Sequence, residues 1–425
     1  MTGLMGNVVK AGGPAVDAAS VLGFDPFAPA FHADPYAQYR RLAAGGPLCR
    51  TPAGLWVTTS HGLCERVLRD PRFGHRPESG GVWRGQAGRN RSFLTLDPPD
   101  HTRLRRLVSK AFTARLVRRL RPRIEELVDG LLAGISGETD LIGALAYPLP
   151  VILVSELLGV PPEDRDLFKG WSDALARGLD PDFLMPADEI ARRDEARTEF
   201  AAYFRELVAR RRAEPPPGEP SPDDSSPGEP PDLLSALVAV SDGGDALTEE
   251  ELLATCVLLL VAGHETTVNL IGNGALALLR SPGGLARFRA HPEEVPDAVE
   301  ELLRYDPPVQ LTLRSVLEDV EIAGTALRQG EMVLLLTGAA NRDPSVFADP
   351  DRLDLTRYGS DAPRHLAFGH GIHFCLGAPL AHLEGQIALQ KLFERVVTLA
   401  PDDDLVYRDN LVLRGLTALP VVVGQ

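Results

Sequence analysis

Residues 368–377 read Phe-Gly-His-Gly-Ile-His-Phe-Cys-Leu-Gly, and the reading of this stretch decides the fold. Gly369 and Gly371 precede Cys375, and Gly377 follows it. Glycine permits tight turns and lets a backbone come close to a flat ligand. From 376 to 393 (LGAPLAHLEGQIALQKLF) apolar residues recur at helical spacing, so Cys375 is expected at a helix N-terminus. The dipole of that terminus favours a thiolate. A lone thiolate there serves as a nucleophile or a metal ligand. A buried structural cysteine is the plainer alternative.

Working outward, the best-signalled element begins at Thr248. Glu251 stands three residues on, a capping box, and an apolar run continues until Ser281-Pro282-Gly283-Gly284 stops it. Such a helix would be roughly 48 Å long. Apolar all round, it belongs inside the protein and would thread the whole molecule, which argues for one domain. Its most apolar part, 252–263, is too short to span a bilayer. Residues 262–267, Ala-Gly-His-Glu-Thr-Thr, interrupt this rod with polar groups. Buried polar groups need a reason. Either the threonines back-bond to the preceding turn at a kink, or a polar notch faces a reaction centre.

Three weaker signals flank these. Glu301 and Arg304 are three apart and share a helix face. In 96–106 (LDPPDHTRLRR) His101 and Arg105 are four apart and point one way. Arg314 follows Pro307-Pro308. Alone, each of these arginines reads as a solvated surface charge.

Together these segments, in this order, resemble the cytochrome P450 family. The spacing Phe368-x-x-Gly371-x-x-x-Cys375-x-Gly377 is similar to its haem-binding signature, 262–267 to its oxygen-activation motif, and Glu301-x-x-Arg304 to its ExxR pair. The resemblance runs from about residue 34 to 423 and leaves out the first twenty residues and 214–231. It implies a mainly α fold with small β-sheets, a single domain whose long central helix crosses over haem b (iron protoporphyrin IX). Cys375 would be the iron ligand, within a loop shaped by Phe368, Gly369 and Gly377. A thiolate ligand pushes electron density toward iron and favours O–O cleavage. Ala262 and Gly263 would adjoin the macrocycle. Thr266 would donate a hydrogen bond to dioxygen, and Glu265 would relay protons. His101, Arg105, Arg314 and His373 would hold the propionates, since anions need cations and Arg suits carboxylates. Glu301 and Arg304 would lock to Arg352 in the loop 347–353 (FADPDRL), with Arg357 as a second candidate; Asp351 stands there where Glu is usual. The substrate pocket would be lined by the loop 76–92, Leu259, Val309, Leu311, Leu416 and Thr417, which are mostly apolar outside that loop.

Bulk properties agree. The chain has 425 residues and a formal net charge of -15, which argues against nucleic acid as a partner. Its four cysteines are scattered, as in a reducing cytosol, and 1–20 lacks the pattern of a signal peptide. A soluble, cytoplasmic, monomeric protein is expected. Helices are expected at 34–42, 61–70, 101–128, 147–158 and 188–212, and strands at 55–59, 320–322, 332–336 and 419–423. Residues 1–20 read as a loose segment and 21–425 as the domain, with 76–92 a long surface loop and 214–231 (EPPPGEPSPDDSSPGEPP) a proline-rich surface-loop insertion.

The activity implied is insertion of one oxygen atom of dioxygen into an apolar small molecule, in tailoring of a secondary metabolite such as a polyketide, macrolide, terpene or aromatic peptide. No flavin or nicotinamide domain is recognisable, so electrons would come from ferredoxin and ferredoxin reductase. Nine Lys or Arg residues and no acid lie between Arg103 and Arg123 (Arg103, Arg105, Arg106, Lys110, Arg115, Arg118, Arg119, Arg121, Arg123), a basic island that would steer an acidic ferredoxin. A solvated helix face is the alternative. Rival functions are a haem sensor or carrier, against which Thr266 argues, an oxidative coupling enzyme of the same family, and a hydrolase using Cys375 as nucleophile, which would purify without a Soret band.

Overall fold

The structure, a computed structural model, describes residues 17–28, 30–75, 92–213, 232–242, 244–359, 361–400 and 405–424. The expected loop at 76–92, save Ser92, the insertion 214–231 and most of the loose segment 1–20 lie outside the described residues. The end of that segment is already helical: Ala18–Leu22 is capped by the Asp17 carboxylate and closed by Gly23 in the left-handed region.

The chain is mainly α with small sheets, as expected. The central helix is Glu249–Leu279, about 46 Å long. Both halves of its capping box form: Thr248 Oγ1 accepts the Glu251 N–H at 3.2 Å, and the Glu251 carboxylate accepts the Thr248 N–H at 2.9 Å. Around it pack Pro148–Leu157, Arg165–Arg177, Ala187–Ala213, Val295–Tyr305 and Ala378–Phe393. By length and composition it could cross a membrane, but it is wrapped by these helices. The crossing with Ala378–Phe393 is tight: a Cβ on Gly385 would come within 2.9 Å of Leu270. Pro282 serves as the first turn of the next helix, Pro282–Ala290, rather than of a loop.

Two expectations change. The basic stretch 101–128 is two helices, Asp100–Ala111 and Ala114–Ala133. Phe112 leaves helical geometry, and Thr113 caps the second helix by accepting the Leu116 N–H at 3.2 Å. In addition, Thr312–Val316 is a strand that apolar alternation does not reveal, because Arg314 and Ser315 occupy its interior. It pairs antiparallel with Met332–Leu335, Leu313 opposite Leu334, which in turn runs parallel to Trp56–Thr58. Cys49–Arg50 and Phe73–Gly74 complete this five-stranded sheet at its edges. A second sheet joins Val397–Leu399, Pro420–Val423 and Gly137–Asp140. The first sheet carries Arg314 and ends at Phe73–Gly74, next to His75, so it supplies one wall of the site described below.

Candidate active site

Gly369 and Gly371 both adopt positive φ, +68° and +70°. A Cβ on Gly371 would sit 2.3 Å from the Leu68 carbonyl oxygen, so only glycine lets the loop lie against the helix His61–Arg69. The Cys375 N–H donates to the Phe368 carbonyl at 3.0 Å and closes the loop. Beyond it, Gly377 caps Ala378–Phe393, which places the sulfur at a helix N-terminus as expected. Burial pushes the Cys375 thiol up; the N–H groups of Gly377 and Ala378 and the Arg105 guanidinium oppose this by favouring the thiolate. A metal cation at the sulfur would complete the thiolate's stabilisation. The other cysteines lack such a setting. Burial alone drives Cys256 up to about 12 and is the main cause raising Cys64, while Cys49 turns its thiol to the carbonyls of Leu42 and Gly46.

In the middle of the central helix Ala262 is exposed and Gly263 and Thr266 are half-buried, whereas His264, Glu265 and Thr267 are buried. One face is therefore open to a ligand. Thr266 Oγ1 donates to the Ala262 carbonyl at 2.7 Å and Thr267 Oγ1 to that of Gly263 at 3.2 Å, so the back-bonded arrangement is present. On the buried face Glu265 forms a double hydrogen bond with Arg408 Nη1, at 3.0 and 2.9 Å. Burial raises its pKa, Arg408 holds it down, and Asp173 adds to the rise. His264 Nδ1 lies 2.6 Å from Ser172 Oγ, its Nε2 makes no hydrogen bond among the described residues and lies 3.6 Å from Glu265 Oε1, and burial lowers its pKa to about 3. Sequence reasoning missed Arg408, Ser172 and Asp173. They lie on separate elements, and nothing in their local pattern marks them.

Basic side chains converge elsewhere. His101 and Arg105 lie one turn apart on Asp100–Ala111, and Arg314 on its strand. The rings of His101 and His373 are 4.2 Å apart, and those of His373 and His75 are 4.7 Å apart. Neither ring nitrogen of His101 or His373 makes a hydrogen bond of ordinary geometry among the described residues, nor does Nε2 of His75. Burial, then Arg314, takes the pKa of His75 to about 2 and that of His373 to about 3. His101 is lowered by burial and by Arg105. Burial pulls Arg314 down to about 10; among the described residues its Nη1 donates to Thr312 Oγ1 at 2.9 Å and to the Leu313 carbonyl at 2.8 Å. Arg105 donates to the Phe374 carbonyl at 2.7 Å. One buried and one half-buried guanidinium and three neutral imidazoles with idle nitrogens fit a ligand bearing carboxylates. A cysteine set up as a thiolate beside them fits a metal held by that same ligand. Both halves match haem, whose metal and propionates need these two donor sets.

The pair Glu301–Arg304 is fully buried. Arg304 donates to both Glu301 oxygens at 2.7 and 2.8 Å and to the carbonyls of Asn341, Pro350 and Arg352. The expected partner, Arg352, is corrected: its guanidinium turns outward to Asp354 at 2.8 Å and only its carbonyl joins the network. The third member is Arg357, the second candidate, whose Nε donates to Glu301 at 3.1 Å. The turn that aims the Arg352 carbonyl at Arg304 points its side chain to solvent. Arg357 instead opens the short helix Arg357–Gly359, packed against Val295–Tyr305.

Of the expected pocket residues, Leu259 and Val309 are half-buried, and Val309 bridges to Leu413. Leu311 is packed with Phe31 and Tyr39, and Leu416 lies in the main core, so neither presents surface to a cavity in this conformation. Thr417 is exposed, with its hydroxyl on the Val406 carbonyl at 2.9 Å. The basic island is also partly neutralised. Arg103 pairs with Asp245 and Glu251, Arg106 with Asp245, Arg121 with Glu125, and Arg123 with Glu126 and Glu156. Those acids lie outside the segment in sequence, where inspection of the island alone does not find them.

A family profile described as Cytochrome P450 matches residues 179–295 and 294–413. The cytochrome P450 monooxygenase PikC of Streptomyces venezuelae is 46% identical over 406 residues, 92% of this chain and 91% of its own length. The 6-deoxyerythronolide B hydroxylase of Saccharopolyspora erythraea is 40% identical over 415 residues, covering 92% and 96%. Among solved structures, the cytochrome P450 PksS of the bacillaene polyketide synthase of Bacillus subtilis 168 is similar with a TM-score of 0.83 and 37% identity, covering 95% of this chain and all of that one. Identity at this level across nearly the whole length, together with a site fitted for a thiolate-bound haem, establishes that the chain belongs to the cytochrome P450 family and is a monooxygenase that binds haem iron through a cysteine thiolate.

Proposed function

We propose that this monooxygenase inserts one oxygen atom of dioxygen into an apolar, polyketide- or macrolide-sized small molecule in the cytoplasm, with Cys375 as the iron ligand and a separate ferredoxin as electron donor. The observation that carries the reading is Cys375 itself, at a helix N-terminus with two main-chain N–H groups donating to its sulfur and the Arg105 charge nearby. The size and class of substrate rest on the relatives, one named for hydroxylating 6-deoxyerythronolide B and one for a polyketide synthase.

When bound, haem supplies the activation of dioxygen and the transfer of its oxygen atom. The chain's residues do the rest. The N–H groups of Gly377 and Ala378 stabilise negative charge on Cys375 and so tune the potential. His101, Arg105, Arg314 and His373 neutralise the carboxylates and set the cofactor's orientation. The small residues Ala262 and Gly263 let the macrocycle approach the central helix. Thr266 exchanges its bond to the Ala262 carbonyl for donation toward the oxygen site. Glu265, held between burial and Arg408, gains and loses a proton more readily than an exposed carboxylate and passes it inward from Asp173. Glu301, Arg304 and Arg357 brace the segment that leads into the cysteine loop.

Support for a docking face comes from a groove of about 440 Å³ between Ala114–Ala133 and the cysteine helix, lined by Val117, Arg118, Arg121, His382 and Gln386 among others. The ion pairs of Arg103, Arg106, Arg121 and Arg123 narrow the charge offered to an acidic partner. A spin-state titration of the ferric protein tests the substrate class, with polyketides, macrolides, terpenes, aromatic peptides and fatty acids as additives. A low-to-high-spin shift confined to polyketides or macrolides supports the proposal, and one confined to another class removes it. Loss of the thiolate-type ferrous–CO band in Cys375→Ser, with the band retained in Cys49→Ser, tests the ligand.

A further inference from the structure

The sequence motifs account for four of the groups around the carboxylate-binding region but not for His75. This residue follows the edge strand Phe73–Gly74, and its main-chain N–H is held by both oxygens of Asp97, at 3.0 and 3.1 Å. Its ring packs edge-on against His373, itself 4.2 Å from His101. The imidazole Nε2 is buried and has no hydrogen-bond partner among the described residues. A buried polar nitrogen without a partner is costly. It is tolerated where a ligand completes the bond. The same side of the cluster holds Arg314, a buried cation that also lacks a carboxylate bonded to it among the described residues. A packing ring would serve as well with carbon in place of the nitrogen, so the idle Nε2 is the feature that asks for a ligand.

We infer that His75 is a further cofactor-binding residue: its Nε2–H donates to a haem propionate beside His373 and Arg314. The inference rests on the haem reading above. It makes the cradle a set of three imidazoles and two guanidiniums, with the added donor on the sheet edge rather than on the helix Asp100–Ala111 or the cysteine loop. The sheet would then contribute two donors, Arg314 and His75, to the grip on one end of the cofactor, and slow haem release would be the consequence.

The test is the rate of haem transfer from the holoprotein to excess apomyoglobin. His75→Phe keeps a ring of similar shape without nitrogens, and His75→Asn keeps a donor. One hydrogen bond to a charged group corresponds to roughly a tenfold change. The expected result is loss of haem about tenfold faster from His75→Phe, restored toward the parent rate in His75→Asn, with the thiolate-type ferrous–CO band unchanged in both. The comparison is repeated with haem dimethyl ester, whose propionates cannot accept a charge-assisted bond. There His75→Phe should release the cofactor no faster than the parent. Equal rates with ordinary haem, while His373→Phe accelerates release, would overturn the inference and leave His75 a packing ring. Acceleration of both cofactors alike would overturn it too, since it signals a loosened fold. His75→Leu provides the same comparison if the phenyl ring does not pack. A parent protein without the thiolate-type band would instead sink the haem reading itself, which separates the two failures.

Discussion

Ser172 and His264 are joined by a 2.6 Å hydrogen bond between Oγ and Nδ1 that ties Arg165–Arg177 to the middle of the central helix. Both side chains are buried, and the other imidazole nitrogen makes no hydrogen bond among the described residues, lying 3.6 Å from the Glu265 carboxylate. Ser172→Ala would leave the buried His264 Nδ1 without its hydrogen bond. A destabilisation of about 1–3 kcal/mol is expected. Thermal unfolding reads the loss, and hydrogen exchange should locate the weakened protection in Arg165–Arg177. Unchanged stability and unchanged exchange would show that the bond contributes nothing there.

The two arginines after the ExxR pair should behave oppositely. Arg352 is two-thirds exposed and among the described residues its side chain pairs with Asp354 alone, so Arg352→Ala is expected to change stability by less than about 0.5 kcal/mol. Arg357 is buried against Glu301, and Arg357→Ala strips that carboxylate of one of its cations. A loss of about 2–4 kcal/mol in urea unfolding follows, together with a smaller haem-loaded fraction. Equal effects from the two substitutions would contradict the placement.

Glu384 on the cysteine helix is buried, one carboxylate oxygen is without a partner, and burial raises its pKa to about 8. In the unfolded chain it titrates near the ordinary 4.5. The folded state therefore holds a proton that the unfolded state releases, so stability from this group is present below 4.5 and is lost as pH rises toward 8. Glu384→Gln should remove that slope and, by pH 8, gain about 4 kcal/mol on the parent relative to pH 4.5. Urea midpoints at the two pH values check this, and parallel slopes would refute it.

Arg408 lowers the pKa of Glu265 against the rise that burial produces. In Arg408→Gln that opposition is gone, so the Glu265 pKa should climb. Any limb of the kcat–pH profile that reports this carboxylate is expected to move to higher pH. Protein stability should fall as well, since an ionised Glu265 would then be buried without its cation. A profile that does not move while the variant stays folded would take Glu265 out of the proton route.

What local chemistry dictates was legible in the sequence. Two glycines forced into positive φ, a cysteine opening a helix, a capping box and an apolar period each depend on residues within a few positions of one another. They were enough to place the central helix and to mark Cys375 as a candidate thiolate; the fold class and the haem reading came with the family resemblance. The resemblance they carry added His101, Arg105, Arg314 and His373, which the structure gathers together with His75. Other features were decided only in three dimensions. Glu265 meets Arg408 across 143 residues, and Ser172 meets His264 across 92. Arg357 rather than Arg352 reaches Glu301 because one turn directs a carbonyl inward and its side chain outward. Thr312–Val316 became a strand through its pairing with Met332–Leu335, although its interior residues are polar. The island at 103–123 lost part of its charge to acids from other elements. The physical reason is common to all of these: burial and the pairing of polar groups depend on which distant elements pack together, and local spacing carries no record of that.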